Sequence, residues 1–257
     1  MNPLMKMMKM MKPCLGGLAW LWVVWLSVTP AFGMEADEIL QQMERKMQSK
    51  SYEMFSRIAF ELPNGRVRTV SLYTALKSGR QALAVVVAPD EFKGRAALRD
   101  GDDVWMHIPG ELELRKSNLM FSLVGGIFNN ADLLTGFLFE DYQPTLLDED
   151  ETGWRLELRP RFGSAPYARM ELRVNKKNGL PLTLSQFDSS GALIKTIHYQ
   201  DVQTVDGEHL RPMVLTSASE LNTKYRSTWS VGQMTSRDFP LDAFTRGFLS
   251  RAGTLMK

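Results

Sequence analysis

Residues 51–76 read SYEMFSRIAFELPNGRVRTVSLYTAL, and the spacing of their apolar side chains decides the fold. Tyr52, Met54, Ile58, Phe60 and Leu62 share one parity, opposite Glu53, Arg57 and Glu61. Alternation of that kind is the mark of a strand with one face buried. Asn64-Gly65 then supplies residues that tolerate positive φ in a tight hairpin, and residues 67–76 read as the returning strand. Just upstream the period is helical. Ile39, Leu40, Met43 and Met47 recur on one face of residues 34–50, with Glu38, Gln42, Glu44, Arg45 and Lys46 around the others, so an amphipathic helix precedes the first strand.

Downstream, strand-like runs continue at residues 81–88, 96–98, 104–108, 112–115, 154–158, 168–174, 182–187, 193–200, 213–219 and 225–231. Asp100-Gly101, Asn178-Gly179, Ser190-Gly191 and Asp206-Gly207 punctuate them as turns. Short strands with frequent turns predict a mainly β chain with minor helix, an antiparallel meander in a sandwich or barrel. No linker or fixed-period repeat divides it, so residues 34–257 read as one domain. Residues 117–139 (SNLMFSLVGGIFNNADLLTGFLF) break the pattern: they are apolar, carry Gly125-Gly126 and do not alternate. Asn129 or Asn130 is suited to cap a short helix over residues 131–139. The stretch reads either as a helical crossover or as an apolar flap over a cavity.

Residues 1–33 have the three parts of a secretory signal peptide: Lys6, Lys9 and Lys12, then an apolar run over 15–28, then Ala31 and Gly33 at −3 and −1 of a cut before Met34. The run is shorter than the roughly 20 residues a membrane-spanning helix needs. Export and a periplasmic location are therefore expected. Cys14 precedes the apolar run, so it is poorly placed for lipidation, and the exported chain would hold no cysteine and no disulfide. Taking the three leader lysines from 31 basic residues leaves 28 against 29 acidic ones, a balance that gives no electrostatic reason to expect nucleic acid as a partner.

Chemistry is sparse. His107, His198 and His209 are the only histidines, and none belongs to an H-E-x-x-H or to an i,i+4 metal pair. No serine sits in G-x-S-x-G, and no glycine-rich phosphate loop occurs. The acids at Asp102-Asp103 and at 148–151 fall at predicted turns and read as solvated charge. No catalytic residue, metal or cofactor is assigned, and the chain is expected not to be an enzyme. The surplus is of inward apolar side chains, which either fill a closed barrel or line a trough in a half-closed one.

Two segments bear on that choice. PDEFKGRA at 89–96, followed by DDVWMHIP at 102–109, resembles the central signature of the LolA-like outer-membrane lipoprotein-sorting proteins. In that family a proline, phenylalanine or valine, lysine and glycine turn leads into an aspartate-x-tryptophan strand that ends in proline. LRVN at 172–175 with GLPL at 179–182, FDSSG at 187–191 and FPLDAF at 239–244 are similar in order and spacing. Here the family's basic strand is reduced to 112–116, and FNNADL at 128–133 stands where a more acidic, tyrosine-bearing sequence is usual.

The resemblance implies a single half-open antiparallel β-barrel with an N-terminal helix and a helical lid. It implies a periplasmic carrier, expected as a monomer, that shields the acyl chains of a lipoprotein or lipid on the way to the outer membrane. An inner-membrane transporter of RND/MMPL or ABC type is a further expected partner, and the rival function is an adaptor of such a transporter that carries no lipid. Strand parity then nominates Met54, Ile58, Phe60, Leu72, Val85, Met106, Ile108, Leu156, Leu172, Leu184 and Ile197 as cavity lining. Leu119, Phe121, Leu123, Phe128, Leu133, Leu134, Phe137 and Leu138 are nominated as the lid.

Overall fold

The structure, a computed structural model, describes residues 34–256 except 63, 78–79 and 220–224. The leader, its cleavage site and Cys14 lie outside the described residues. Helix α1 (Ala36–Met47) is followed by six strands, β1 (Tyr52–Glu61), β2 (Val67–Lys77), β3 (Gln81–Ala88), β4 (Ala96–Asp100), β5 (Asp103–His107) and β6 (Arg115–Ser117). Two short helices, α2 (Asn130–Leu134) and α3 (Leu138–Asp141), come next. Seven strands follow: β7 (Tyr142–Glu149), β8 (Gly153–Pro160), β9 (Arg169–Asn175), β10 (Pro181–Phe187), β11 (Leu193–Val205), β12 (His209–Ser219) and β13 (Arg226–Ser236). The chain ends in α4 (Arg246–Leu249) and a 3₁₀ turn, Ala252–Met256.

All thirteen strands form one antiparallel sheet, ordered β6-β5-β4-β3-β2-β1-β13-β12-β11-β10-β9-β8-β7. It consists of two meanders joined where β1 pairs with β13. The sheet does not close, because its edges are β6 and β7, and a twisted sheet this wide must curl. The expected half-open barrel is thus the observed fold. Residues 118–141, containing α2 and α3, join one free edge to the other.

Each face of the sheet carries its own core. Ile58, Phe60, Val70, Leu72, Ala84, Leu156, Leu172 and Ile197 pack on the inner face with α1 and the 118–141 segment. On the outer face Tyr73, Leu83, Val85 and Leu98 lie under Phe244, Phe248, Leu249 and Leu255 of the C-terminal strap. Arg237 ties the strap down, its Nη1 donating to the Leu255 carbonyl at 2.7 Å and to Glu53. Strands buried on both faces read as unbroken apolar runs, as QALAVVVA of β3 does.

Strand β7 is absent from the sequence expectation. It holds Pro144 and ends in acids, features that suit an edge strand and that read as a loop in isolation. The basic strand expected at 112–115 is shifted to β6 at 115–117. Among the described residues no helix is long and apolar enough to cross a membrane.

Candidate functional site

The inner face is covered from two sides. Helix α1 presents Ile39, Leu40 and Met43 to it, as their spacing requires. The 118–141 segment crosses it and buries Leu119, Leu123, Val124, Phe128, Leu133 and Leu134. Phe128 is fully buried, with its ring edge-on to Trp229 of β13 at 5.4 Å between centroids. Gly126, at φ +79°, lets the segment lie directly on the Phe60 ring, since a Cβ there would stand 2.1 Å from Phe60 Cδ1.

Polar groups fix this lid to the sheet. Asn129 caps α2 in a reciprocal capping box with Asp132, which settles the cap between the two expected asparagines. Asp132 is also ion-paired at 2.5 Å with Lys195 of β11, whose Nζ donates to the Ile127 carbonyl at 3.0 Å. Asn129 Nδ2 donates to the Tyr167 hydroxyl at 2.8 Å. At the far end, Arg99 of β4 holds Asp141 of α3 through two bonds of 2.7 and 2.6 Å, and its Nη1 lies 3.2 Å from Thr135 Oγ1. Between these two ion pairs Gln48 donates to the Gly136 carbonyl, and Glu44 accepts the Phe139 N–H at 3.1 Å. Burial pushes the Glu44 carboxyl up to about 8, outweighing its hydrogen bonds to the Phe139 and Leu138 backbone.

Between α1, the α2–α3 end of the lid and strands β9–β13 lies a half-enclosed cavity of about 120 Å³, or about 1050 Å³ of atom-free space when the solvent at its mouth is counted. At about 10–15 Å³ per water on the tighter measure, the interior has room for roughly ten water-sized bodies. Its wall is mostly apolar and includes Met43, Met54, Leu133, Leu172, Leu184, Ile197 and Val231.

The nominated residues separate into groups. Met54, Leu172, Leu184 and Ile197 line the cavity, as do Leu133 and Leu138 of the lid. Ile58, Phe60, Leu72, Met106 and Leu156 share the inner core but not the cavity wall; that part of the trough is filled by the lid's own side chains. Leu119, Leu123, Phe128 and Leu134 are buried lid residues that do this filling. Phe121 is half exposed and Phe137 half buried, and neither reaches the cavity. Val85 belongs to the outer core: it pairs with Tyr73, while Leu72 faces Val86 across a register shift at Ser71/Leu72. In a strand buried on both faces, parity alone cannot choose the side. Ile108 lies just past β5, half buried and in neither core.

The polar residues of the site escaped sequence reasoning. Glu44, Gln48 and Arg211 line the cavity, and Lys195 and Arg99 anchor its lid. A signal was present: Lys195 shares parity with the inward Ile197, and Arg99 with the inward Ala97. A charge on an inward parity marks a buried partner. Among the described residues no cluster of three or more His, Cys, Asp or Glu could hold a metal.

A family model described as "Uncharacterized protein" matches residues 78–251. No curated protein matches significantly. Among solved structures, a LolA superfamily protein from Nitrosomonas europaea is 23% identical with a TM-score of 0.77, covering 84% of this chain and 100% of its own. A domain named for outer-membrane lipoprotein sorting from Vibrio parahaemolyticus is 18% identical with a TM-score of 0.71, covering 84% and 98%. A DUF1329 family protein from Desulfovibrio piger is 19% identical, also at 0.71, covering 83% and 97%.

Proposed function

We propose that this chain, which belongs to the family of uncharacterized proteins whose model matches residues 78–251 and has a LolA-like fold, is a periplasmic carrier that shields acyl chains in transit through the cell envelope, and not an enzyme. One observation carries this reading: an apolar, half-enclosed cavity between a curved sheet and a separate covering segment. A hydrocarbon chain enters such a space because each buried methylene is worth about 0.8 kcal/mol. If a methylene has about the bulk of a water, ten of them fill the interior and yield roughly 8 kcal/mol, a micromolar dissociation constant before any lid rearrangement is charged against it. Affinity in that range suits a protein that must release its cargo without an energy source.

A fluorescent acyl probe titrated into the delipidated chain tests this. The wild type is expected to bind at micromolar or weaker concentration. Ile197→Trp, which fills the cavity from β11, is expected to weaken binding at least tenfold with an unchanged circular dichroism spectrum. Absence of probe binding, together with no acyl compound extractable from protein isolated from its native envelope, would overturn the carrier. The adaptor of a transporter would then remain.

A further inference from the structure

Arg211 of β12 is a half-buried cation on the wall of the mostly apolar cavity. Its Nη1 donates to Gln48 Oε1 at 2.7 Å, and its guanidinium lies 5.9 Å from the centre of the Tyr52 ring. Its Nε is buried and unpartnered, and among the described residues no carboxylate forms an ion pair with it. The carboxyl nearest in role, Glu44, is held protonated near neutral pH by its own burial, so it does not supply the missing charge. Asp132, the other acid on the wall, is committed to Lys195. Among the described residues, Arg211 is thus a cation of the cavity wall with no ion-paired acid.

That place is an end. Arg211 pairs with Gln203 of β11, whereas Gln186, also on the cavity wall, pairs with Lys195 of the same strand. Eight residues of β11 separate the two register positions, about 26 Å of strand. Between them the wall includes Ile197, Leu215 and Trp229. The trough is thus long, apolar along its middle and cationic at the Arg211 end, and its interior takes only part of a single hydrocarbon chain.

We propose that the cavity receives a one-tailed amphiphile whose single anionic headgroup, a carboxylate or phosphate, is bound by Arg211 while the tail runs along β10–β13 toward Gln186. The assignment rests on the carrier reading and narrows it. A neutral ester offers the half-buried guanidinium only a neutral acceptor, whereas an anion accepts the Nε–H as a charge-assisted bond. Gln48, which bonds both Arg211 and the Gly136 carbonyl of the lid, places the headgroup within one side chain of the covering segment.

The test is a titration of the delipidated full chain at neutral pH with palmitate, methyl palmitate and palmitoyl lysophosphatidate. The wild type is expected to prefer palmitate over its methyl ester by at least tenfold. Arg211→Gln is expected to abolish that preference while keeping the ester affinity, and Arg211→Lys to retain most of it. Stronger binding of lysophosphatidate than palmitate identifies the anion as a phosphate, and the reverse identifies a carboxylate. Equal affinity of the wild type for palmitate and its ester, or an unchanged preference in Arg211→Gln, overturns the headgroup site and leaves the carrier standing. Binding of none of the three overturns the headgroup site, and the carrier with it when no acyl compound is extractable from the native protein either.

Discussion

Replacing Glu44 by Gln should flatten the pH dependence of stability between pH 5 and pH 8. Glu44 lies on α1, 4% exposed, with Oε1 accepting the Phe139 N–H of the lid. Its carboxyl pKa is raised from 4.5 to about 8, chiefly by burial. Between those values the folded chain keeps a proton that the unfolded chain has released. Folding then binds protons, so stability is greatest at low pH in this window and falls as pH rises through it. The limiting slope is about 1.4 kcal/mol per pH unit, and the contribution lost from pH 5 to pH 8 is of order 3 kcal/mol. Gln keeps the acceptor for Phe139 and has no proton to lose. Urea unfolding followed by tryptophan fluorescence at pH 5, 6, 7 and 8 measures the effect. The wild-type midpoint should drop steadily across the series, while the Glu44→Gln midpoint should hold. Parallel profiles for the two proteins would mean that Glu44 is solvated and ionised, and able to serve as a negative charge on the same cavity wall as Arg211.

Three other perturbations have definite outcomes. Arg99→Met removes the two-bond partner of the buried Asp141 carboxylate and leaves it Arg80 alone, so unfolding free energy should fall by about 1.5–3 kcal/mol, and much of that should return in the Arg99→Met, Asp141→Leu double variant. Gly126→Ala drives a methyl into Phe60 at a positive φ; amide exchange over residues 118–128 should accelerate while the β10–β13 amides stay protected, and uniform acceleration would show a global defect instead. Removing residues 239–257 uncovers Tyr73, Leu83, Val85 and Leu98 on the outer face, so the truncated chain should self-associate in sedimentation experiments where the full chain does not.

Much of the fold could be read from residue spacing because most strands bury one face more than the other. In β1 the inward Met54, Ile58 and Phe60 alternate with Glu53, Arg57 and Glu61, and the strand begins and ends within a residue of expectation. The reading weakened where that asymmetry vanished. β3 is apolar on both faces, because the C-terminal strap covers the outer one through contacts that no local pattern announces, and Val85 was therefore placed on the wrong side. β7 was missed for the opposite reason: as an edge strand with Pro144 and a run of acids it has too little burial to show a period. The site suffered most. Its apolar wall followed from parity, but Glu44, Gln48 and Arg211 come from α1 and β12, far apart in sequence, and they meet only after the sheet curls and α1 packs across it.

The lid has two mechanical parts. Its α2–α3 half is anchored by Lys195–Asp132 and by Arg99 and Arg80 together on Asp141, and loss of Lys195 would strand buried charge at about 3–5 kcal/mol. Residues 118–128, by contrast, are held by apolar burial and by bonds to main-chain carbonyls, such as Arg68 Nη2 to Val124 at 2.7 Å and Lys195 Nζ to Ile127. Displacement of this half would expose Leu119, Leu123, Val124 and Phe128 at about 1.5–3 kcal/mol each, or roughly 6–12 kcal/mol in all. A tail taking their place would return about 0.8 kcal/mol per methylene, so roughly 8–15 methylenes balance the exchange. That is the length of one ordinary acyl chain. Entry of such a chain is then a near-neutral swap of the lid's side chains for the tail, with the ion-paired half and the Arg211 end of the trough undisturbed, and neither the empty nor the filled protein is too stable to give way to the other.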